Sequence, residues 1–426
     1  MCHPRGESNN SLTSVPISAT HQTGQVIPRY PREYTTTELV NAFTSIWARD
    51  TRATGLIERW LSPSSVYFVG SGRECLYLLL RILPLPPHAR VGVPLYCCMA
   101  VFDAIVAAGC SPVFIDIDLD TYSISAEHLS RVAGLLDALI VVHTFGYPAN
   151  LDKIRAAIGA RHIPVIEDCA HSLFSEYKGL PTGTLTEASF FSFGRHKPVA
   201  IGSGGMLVIN DPHLAAAADK KLRTLPFASR TGELRAAVRS WLMSLIYTSS
   251  VYRFSYTSKI LERHDRPFDG NYAAPAATMR GCWQPKFMLP GVKRLLEMRF
   301  GMFRRQLDKL GRHAAELQQV LNGVDLGAIS EPPWGRWNHF LWPIRYRNVE
   351  QRRRARAILF RHGVDTSVLY QNCAYHARQF GYTSGCDVAE RAAQTVCIVP
   401  HYSCLSEGDL LLIAEQVRSS VLLAPS

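Results

Sequence analysis

The sequence predicts an α/β fold with a seven-stranded, mainly parallel sheet covered on both faces, followed by a smaller α+β domain. Two observations carry this. Short apolar runs alternate with helical segments over the first half of the chain, the pattern of strands joined by crossover helices. From Val292 the pattern changes to one long helix and then to a mixture of short strands and helices. The seven strand-like runs are Val66 to Val69, Arg90 to Tyr96, Pro112 to Ile117, Ala138 to Thr144, Ile163 to Ile166, Ala188 to Phe193 and Met206 to Ile209.

After Val292, the residues Phe303, Leu307, Leu310, Ala314, Leu317 and Leu321 recur at alternating spacings of four and three, one apolar stripe of a helix. This helix is expected to connect the two domains. Beyond it the sequence predicts a strand over His339 to Tyr346, a basic helix ending at Gly363, a return run to Tyr370 and a strand over Thr395 to Val399. Ser406 with Asp409 forms a capping-box-like start for the last helix. The expected layout is a polar, disordered tail over 1–25, a large domain over 26–290 with a helical insertion near 224–287, and the connecting helix with the small domain over 291–426.

Composition narrows the function classes. The chain has 426 residues, 47% of them hydrophobic, and a formal net charge of +11. The densest basic run, Gln351 to His362, reads QRRRARAILFRH and predicts a helix with one apolar and one cationic face. Such faces are solvated or attract a phosphorylated ligand. No interleaved set of stacking aromatics and no DNA-reading motif accompanies it, so nucleic acid is excluded in favour of an anionic small molecule. The 11 cysteines show no zinc-type spacing and are odd in number, which argues against a disulfide framework and for a reducing, cytoplasmic setting, and no metal site is expected. The polar N-terminal segment lacks the apolar core of a signal peptide. Ser240 to Tyr252, flanked by Arg235, Arg239 and Arg253, is too short to span a membrane, which takes about 20 apolar residues. Peripheral membrane contact is open for it but not expected; a buried helix, lid or dimer element is.

The chemistry-bearing residues fall at strand ends. Lys197 follows the β-branched and aromatic run ending at Phe193 and precedes the pair Gly204-Gly205. The apolar run Ile163 to Ile166 ends in Glu167-Asp168-Cys169-Ala170-His171. Open α/β sheets place ligands at the carboxyl ends of such strands. Val66 to Val69 turns into a helix through Gly70-Ser71-Gly72-Arg73, a phosphate cradle at a helix N-terminus. A lysine able to form a Schiff base, an acid able to pair with a ring nitrogen and a phosphate cradle together describe a site for pyridoxal 5'-phosphate. Lys197 and Asp168 would take the first two duties, and Ser71, Gly72, Arg73 and Ser192 would supply N–H groups and hydroxyls to the phosphate.

These residues lie within motifs that resemble the DegT/DnrJ family of aminotransferases. The motifs are SG-x-x-x-L at Ser71 to Leu76, VP-x-Y at Val93 to Tyr96, AGC-x-PVF-x-D-I-D at Ala108 to Asp118, VH-x-FG at Val142 to Gly146, PVIED-x-AH at Pro164 to His171, and FSF-x-x-x-K at Phe191 to Lys197. The resemblance implies fold type I of the pyridoxal phosphate enzymes, a Schiff base on Lys197, Asp168 at the pyridine nitrogen, His171 at the phenolic oxygen and Ser192 at the phosphate. It also implies a homodimer, an amino-acid donor, most often glutamate, and a keto sugar nucleotide or related cyclic intermediate as acceptor. The chain departs from the family at three places. Arg73 stands where threonine is common. Cys98 stands where a ring-stacking aromatic is frequent, leaving Tyr96 to stack on the cofactor. Pro285 stands where an asparagine reaches the partner's phosphate, leaving Asn271 as the substitute.

Several of these residue types also admit structural duties. Asp168 would serve as N-cap of a helix over Cys169 to Phe174, His171 as a hydrogen-bonded core residue, and Ser192 as a partner for a neighbouring backbone group. His196, next to Lys197, matters because a histidine at the lysine's position marks dehydratases in this family. The spacing from Ser192 assigns that position to Lys197 and makes transfer, not dehydration or a non-catalytic scaffold, the expected function.

Overall fold

The computed structural model describes residues 26–48, 55–62, 64–247, 252 and 283–423. All seven predicted runs form strands of one sheet: β1 (Ser65–Val69), β2 (Arg90–Pro94), β3 (Ser111–Ile115), β4 (Ala138–Val142), β5 (Val165–Asp168), β6 (Ala188–Ser192) and β7 (Gly205–Ile209). Their order is β1-β7-β6-β5-β4-β2-β3. β7 runs antiparallel to both β1 and β6, and the other pairings are parallel. The central strands β4 and β5 are buried along their whole length, as a sheet covered on both faces requires.

Local chemistry explains most element ends. Thr35 and Glu38 form a reciprocal capping box at the start of the Thr36–Trp47 helix. The helix Leu151–Ile158 is capped by the Asn150 side chain and ends at Gly159, whose φ of 71° is costly for any residue with a Cβ. The long helix runs Pro290–Val320, starting two residues before Val292, with Pro at the first turn, where its missing N–H costs nothing. Of the stripe, Phe303, Leu310, Ala314, Leu317 and Leu321 are buried. Ser406 and Asp409 make the expected reciprocal cap before the helix Glu407–Leu423.

A second antiparallel sheet contains Gly327–Ala328, β8 (Trp342–Arg345) and β9 (Val396–Val399). β8 is shorter than the run His339 to Tyr346. The run to Tyr370 is not a strand: it is an extended strap joined by isolated bridges from Val364 to Ile27 and from Ser367 to Ile398.

The basic helix, Val349–Arg361, departs from expectation. Arg352 and Arg356 are buried on its inner face beside Ala355 and Leu359. Arg356 donates to both the hydroxyl and the carbonyl of Thr366, and Arg352 donates to the carbonyl of Ala393. Two of the five arginines of this run are therefore internal scaffolding and not part of a phosphate-seeking face.

Within the predicted insertion near 224–287, the helix Arg230–Leu245 is present, and residues 248–251 and 253–282 lie outside the described set. So do the N-terminal tail over 1–25 and Asn271. No helix among the described residues is long and apolar enough to cross a membrane.

Candidate active site

The carboxyl ends of β5 and β6 and the start of the Gly72–Ile82 helix place most of the predicted residues at one sheet edge. Asp168, the last residue of β5, is buried, and its Oδ1 accepts a hydrogen bond from the Ala170 N–H at 2.9 Å. No helix follows over Cys169 to Phe174, so Asp168 caps a tight turn and not a helix. Burial pushes its carboxyl upward in pKa, against the pull of the Ala170 N–H and the charges of Lys197 and His143. A cation or N–H donor brought to this carboxylate would offset its desolvation.

Lys197 faces His171: its Nζ lies 3.0 Å from Nε2 of the imidazole. Burial, reinforced by the charge of Lys197, holds His171 well below the ordinary histidine range, so the ring is neutral and accepts from the lysine. His196 points elsewhere. It stacks on Tyr30 at 3.9 Å, and its backbone N–H donates to Glu33 at 2.6 Å. Adjacent residues are thus divided between the site and the segment that carries Tyr30 and Glu33.

The cradle is assembled from three segments. Ser71 caps the Gly72–Ile82 helix by accepting from the Glu74 N–H, which leaves the Gly72 and Arg73 N–H groups at the helix N-terminus. Gly72 is required because an added Cβ would come within 2.7 Å of the Ser192 Cβ. Gly205 is required because its Cβ would fall 2.4 Å from the Ser71 carbonyl carbon. Gly204, at φ 113°, bridges Ser71 and donates its N–H to the Gly70 carbonyl at 2.7 Å. Close backbone approach, a helix N-terminus and the neighbouring Ser192 hydroxyl suit a phosphate. The Arg73 guanidinium lies over the Trp283 ring at 5.9 Å.

Tyr96 does not reach this group. It is fully buried, packed against Tyr122, Phe145 and Tyr370, and its hydroxyl has no partner. The predicted stacking role is corrected: at the end of β2 its side chain turns into the core.

Two features escaped the sequence reading. Glu167, on the opposite face of β5 from Asp168, accepts from the N–H groups of Gly183, Leu185 and Thr186 and pairs with His143 Nε2 at 3.0 Å, while His143 Nδ1 accepts from the Ala149 N–H. This buried dyad ties β4, β5 and the loop before β6 together behind Asp168. Its donor atoms and Cys169 Sγ lie within 4.8 Å of one another, but the hydrogen bonds already fill Glu167. The second feature is a cavity of about 290 Å³ beside Lys197, whose lining includes Arg29, Arg32, Arg299, Gln306 and His401.

The residues present fit pyridoxal phosphate: a desolvated carboxylate, a lysine held by a neutral imidazole, and a cradle with no room for a Cβ. Architecture and site together define a class, the fold type I architecture of pyridoxal phosphate enzymes. Solved structures share it. The pyridoxal phosphate form of the putative sugar aminotransferase Spr1654 from Streptococcus pneumoniae superposes with a TM-score of 0.72 at 18% identity, covering 94% of this chain and 100% of that one. The sugar aminotransferase CalS13 from Micromonospora echinospora gives 0.70 at 21% identity, covering 92% and 99%. At these identities the likeness is one of fold.

Residues 58–237 match the sequence profile of the DegT/DnrJ/EryC1/StrS aminotransferase family. GDP-perosamine synthase of Escherichia coli O157:H7 is 35% identical over 147 residues, 34% of this chain and 40% of that protein. The UDP-N-acetyl-3-dehydro-alpha-D-glucosamine 3-aminotransferase of Acidithiobacillus ferrooxidans is 34% identical over 157 residues, 36% and 42% respectively. The chain thus matches about two fifths of the length of these curated relatives.

Proposed function

We propose that the protein is a pyridoxal-phosphate-dependent aminotransferase that moves an amino group from an amino acid, with glutamate the first donor to test, to a keto sugar nucleotide or related cyclic intermediate. The observation that carries this is Lys197 Nζ held 3.0 Å from the neutral His171 at the sheet edge that also bears Asp168. When bound, pyridoxal phosphate supplies an electron sink for the carbon that gains or loses the amine. The chain's own residues do the rest. Lys197 would hold the cofactor, and its amine is the group placed to move a proton at the substrate carbon. Asp168 would hold the ring nitrogen of the cofactor, and His171 orients Nζ. Gly72 and Arg73 offer N–H groups, and Ser192 a hydroxyl, to the phosphate, while Ser71 fixes the helix that presents them. The cavity beside Lys197 is lined by Arg29, Arg32 and Arg299 together with Glu33 and Glu38, and Arg29 and Arg299 are already paired with Asp365 and Glu38.

The described cysteines are all free, which supports a reducing cytoplasmic setting. A homodimer is also part of the proposal. Phe43 and Trp47 on the Thr36–Trp47 helix and Met298 and Met302 on the long helix are large, exposed apolar side chains on helices that pack together.

The test is a visible absorption spectrum of the protein loaded with pyridoxal phosphate, before and after glutamate, followed by mass spectrometry of keto sugar nucleotides added to the donor-treated protein. Bleaching of the band and a product that has gained an amine are expected. A product that has lost water without gaining nitrogen would overturn transfer.

A further inference from the structure

We propose that Asn338 is a positioning residue for the active site: its carboxamide clamps the turn that carries His171 and so sets the imidazole against Lys197. For what that pair does to substrate, the inference rests on the pyridoxal phosphate reading above. Asn338 lies in the segment leading into β8, 167 residues from His171 in sequence, and is buried at 2% exposure. Its Nδ2 donates to the carbonyls of His171 and Leu173, both at 2.8 Å, and its Oδ1 accepts from the Phe340 N–H at 3.0 Å. Two carbonyls and one N–H together admit a single orientation of the carboxamide. The Asn338 N–H in turn donates to the Ser175 hydroxyl at 3.2 Å, and that hydroxyl donates to the Gly146 carbonyl at 2.6 Å.

The turn needs such a clamp because it has no helix or strand to hold it over 169–174. The carbonyls of Ser172 and Ser175 are bonded to Thr182, from the loop before β6. Those of His171 and Leu173 are bonded to Asn338. The same segment also packs an aromatic ring on the imidazole: the Phe340 and His171 centroids are 6.0 Å apart. Gly146, at φ 87°, leaves room for the arrangement, since an added Cβ would fall 2.2 Å from Asn338 Oδ1 and 2.8 Å from the His171 carbonyl oxygen. Removing the carboxamide orphans two backbone carbonyls in a buried turn, which must shift or admit water to satisfy them. Either response moves His171, whose Nε2 lies 3.0 Å from Lys197 Nζ. A misplacement of about 1 Å in a reacting constellation can lose on the order of 10²-fold in rate.

The experiment compares wild type, N338A and R356A, the last a control that loosens the molecule at Thr366, away from this turn. In apo-protein carrying isotope-labelled histidine, the His171 ring signals, assigned by their loss in H171Q, should shift or broaden in N338A and stay as in wild type in R356A. In protein loaded with pyridoxal phosphate, N338A should slow the bleaching of the visible band by saturating glutamate roughly 10- to 100-fold, with the half-saturating concentration within about twofold of wild type. Wild-type bleaching in folded N338A would overturn the positioning role, whether or not the ring signals move, and so would an equal slowing in R356A. A wild type that glutamate does not bleach, with the His171 signals still displaced in N338A, would sustain the clamp and overturn the donor reading. Should N338A not fold, N338D carries the same expectations: it keeps the size and the oxygen that accepts from Phe340, and replaces the amide donor by a second acceptor.

Discussion

Two regions of this molecule hold charge in opposite ways. At the sheet edge, Lys197, Asp168 and the helix N-terminus are brought together from neighbouring strand ends, and their polar groups are incompletely satisfied within the protein. In the C-terminal lobe, Arg356 is fully buried, but its guanidinium is spent on Thr366, and Arg29 is spent on Asp365. Binding chemistry requires the first condition. A group already paired has little left to offer a ligand, and an unpaired buried group is a cost that a ligand can relieve.

The largest effect expected from breaking this contrast is at Lys197. Lys197→Ala should lower turnover by roughly 10²–10⁴-fold, the usual range for a positioned proton-transfer group, and abolish borohydride trapping of the cofactor. Its unfolding midpoint without cofactor should stay near wild type, because the half-buried amine contributes to the site more than to the core. Trapping at another lysine would show that the sheet-edge assignment is wrong.

In the lobe the balance reverses. Arg356→Ala removes a fully buried side chain and orphans the Thr366 groups, so urea unfolding should show a loss of about 2–4 kcal/mol. A loss below about 0.5 kcal/mol, the size of an ordinary surface change, would mean that the inward-turned arginine is dispensable.

Acid sharpens the comparison by about 2 kcal/mol. His401 is buried near His339 and His313, and burial first, then repulsion from those histidines, push it down from 6.5 to about 3. The unfolded chain therefore takes up a proton that the folded lobe refuses between these values. Stability from this group is complete above about pH 6.5 and falls as pH drops toward 3, with a slope approaching 1.4 kcal/mol per pH unit for one proton. Unfolding measured from pH 7.5 to 5 should show the decline, and His401→Leu should flatten it. An unchanged slope in that variant would assign the acid sensitivity elsewhere.

The smallest effect is at the cradle. Ser71→Ala removes the cap from the Gly72–Ile82 helix and should cost about 1 kcal/mol by thermal or urea unfolding. Cofactor affinity should also fall if this helix end holds the phosphate. Unaltered affinity would remove Ser71 from the cradle.

All seven strands were legible because each is a continuous apolar run bounded by polar or glycine-rich turns. Lys197, Asp168, His171 and Ser192 were legible as a group because they sit in short motifs at strand ends. The burial of Arg352 and Arg356 was not legible, since a basic helix reads as solvated unless one knows what packs on it. Tyr96 illustrates the same limit from the other side: its place after β2 was visible, and the direction of its ring was not.

By itself the sequence determined the strand set, the long helix, the cradle glycines and the adjacency of lysine, acid and imidazole, because apolar periodicity, steric tolerance and local spacing act over a few residues. Tertiary structure alone decided that His196 turns to Tyr30 while Lys197 turns to His171, that Glu167 is consumed by backbone N–H groups, and that Asn338, 167 residues away in sequence, fastens the turn that carries His171. Those outcomes depend on which distant groups compete for each hydrogen bond and each patch of buried surface, and the competition is settled only when the chain has closed on itself.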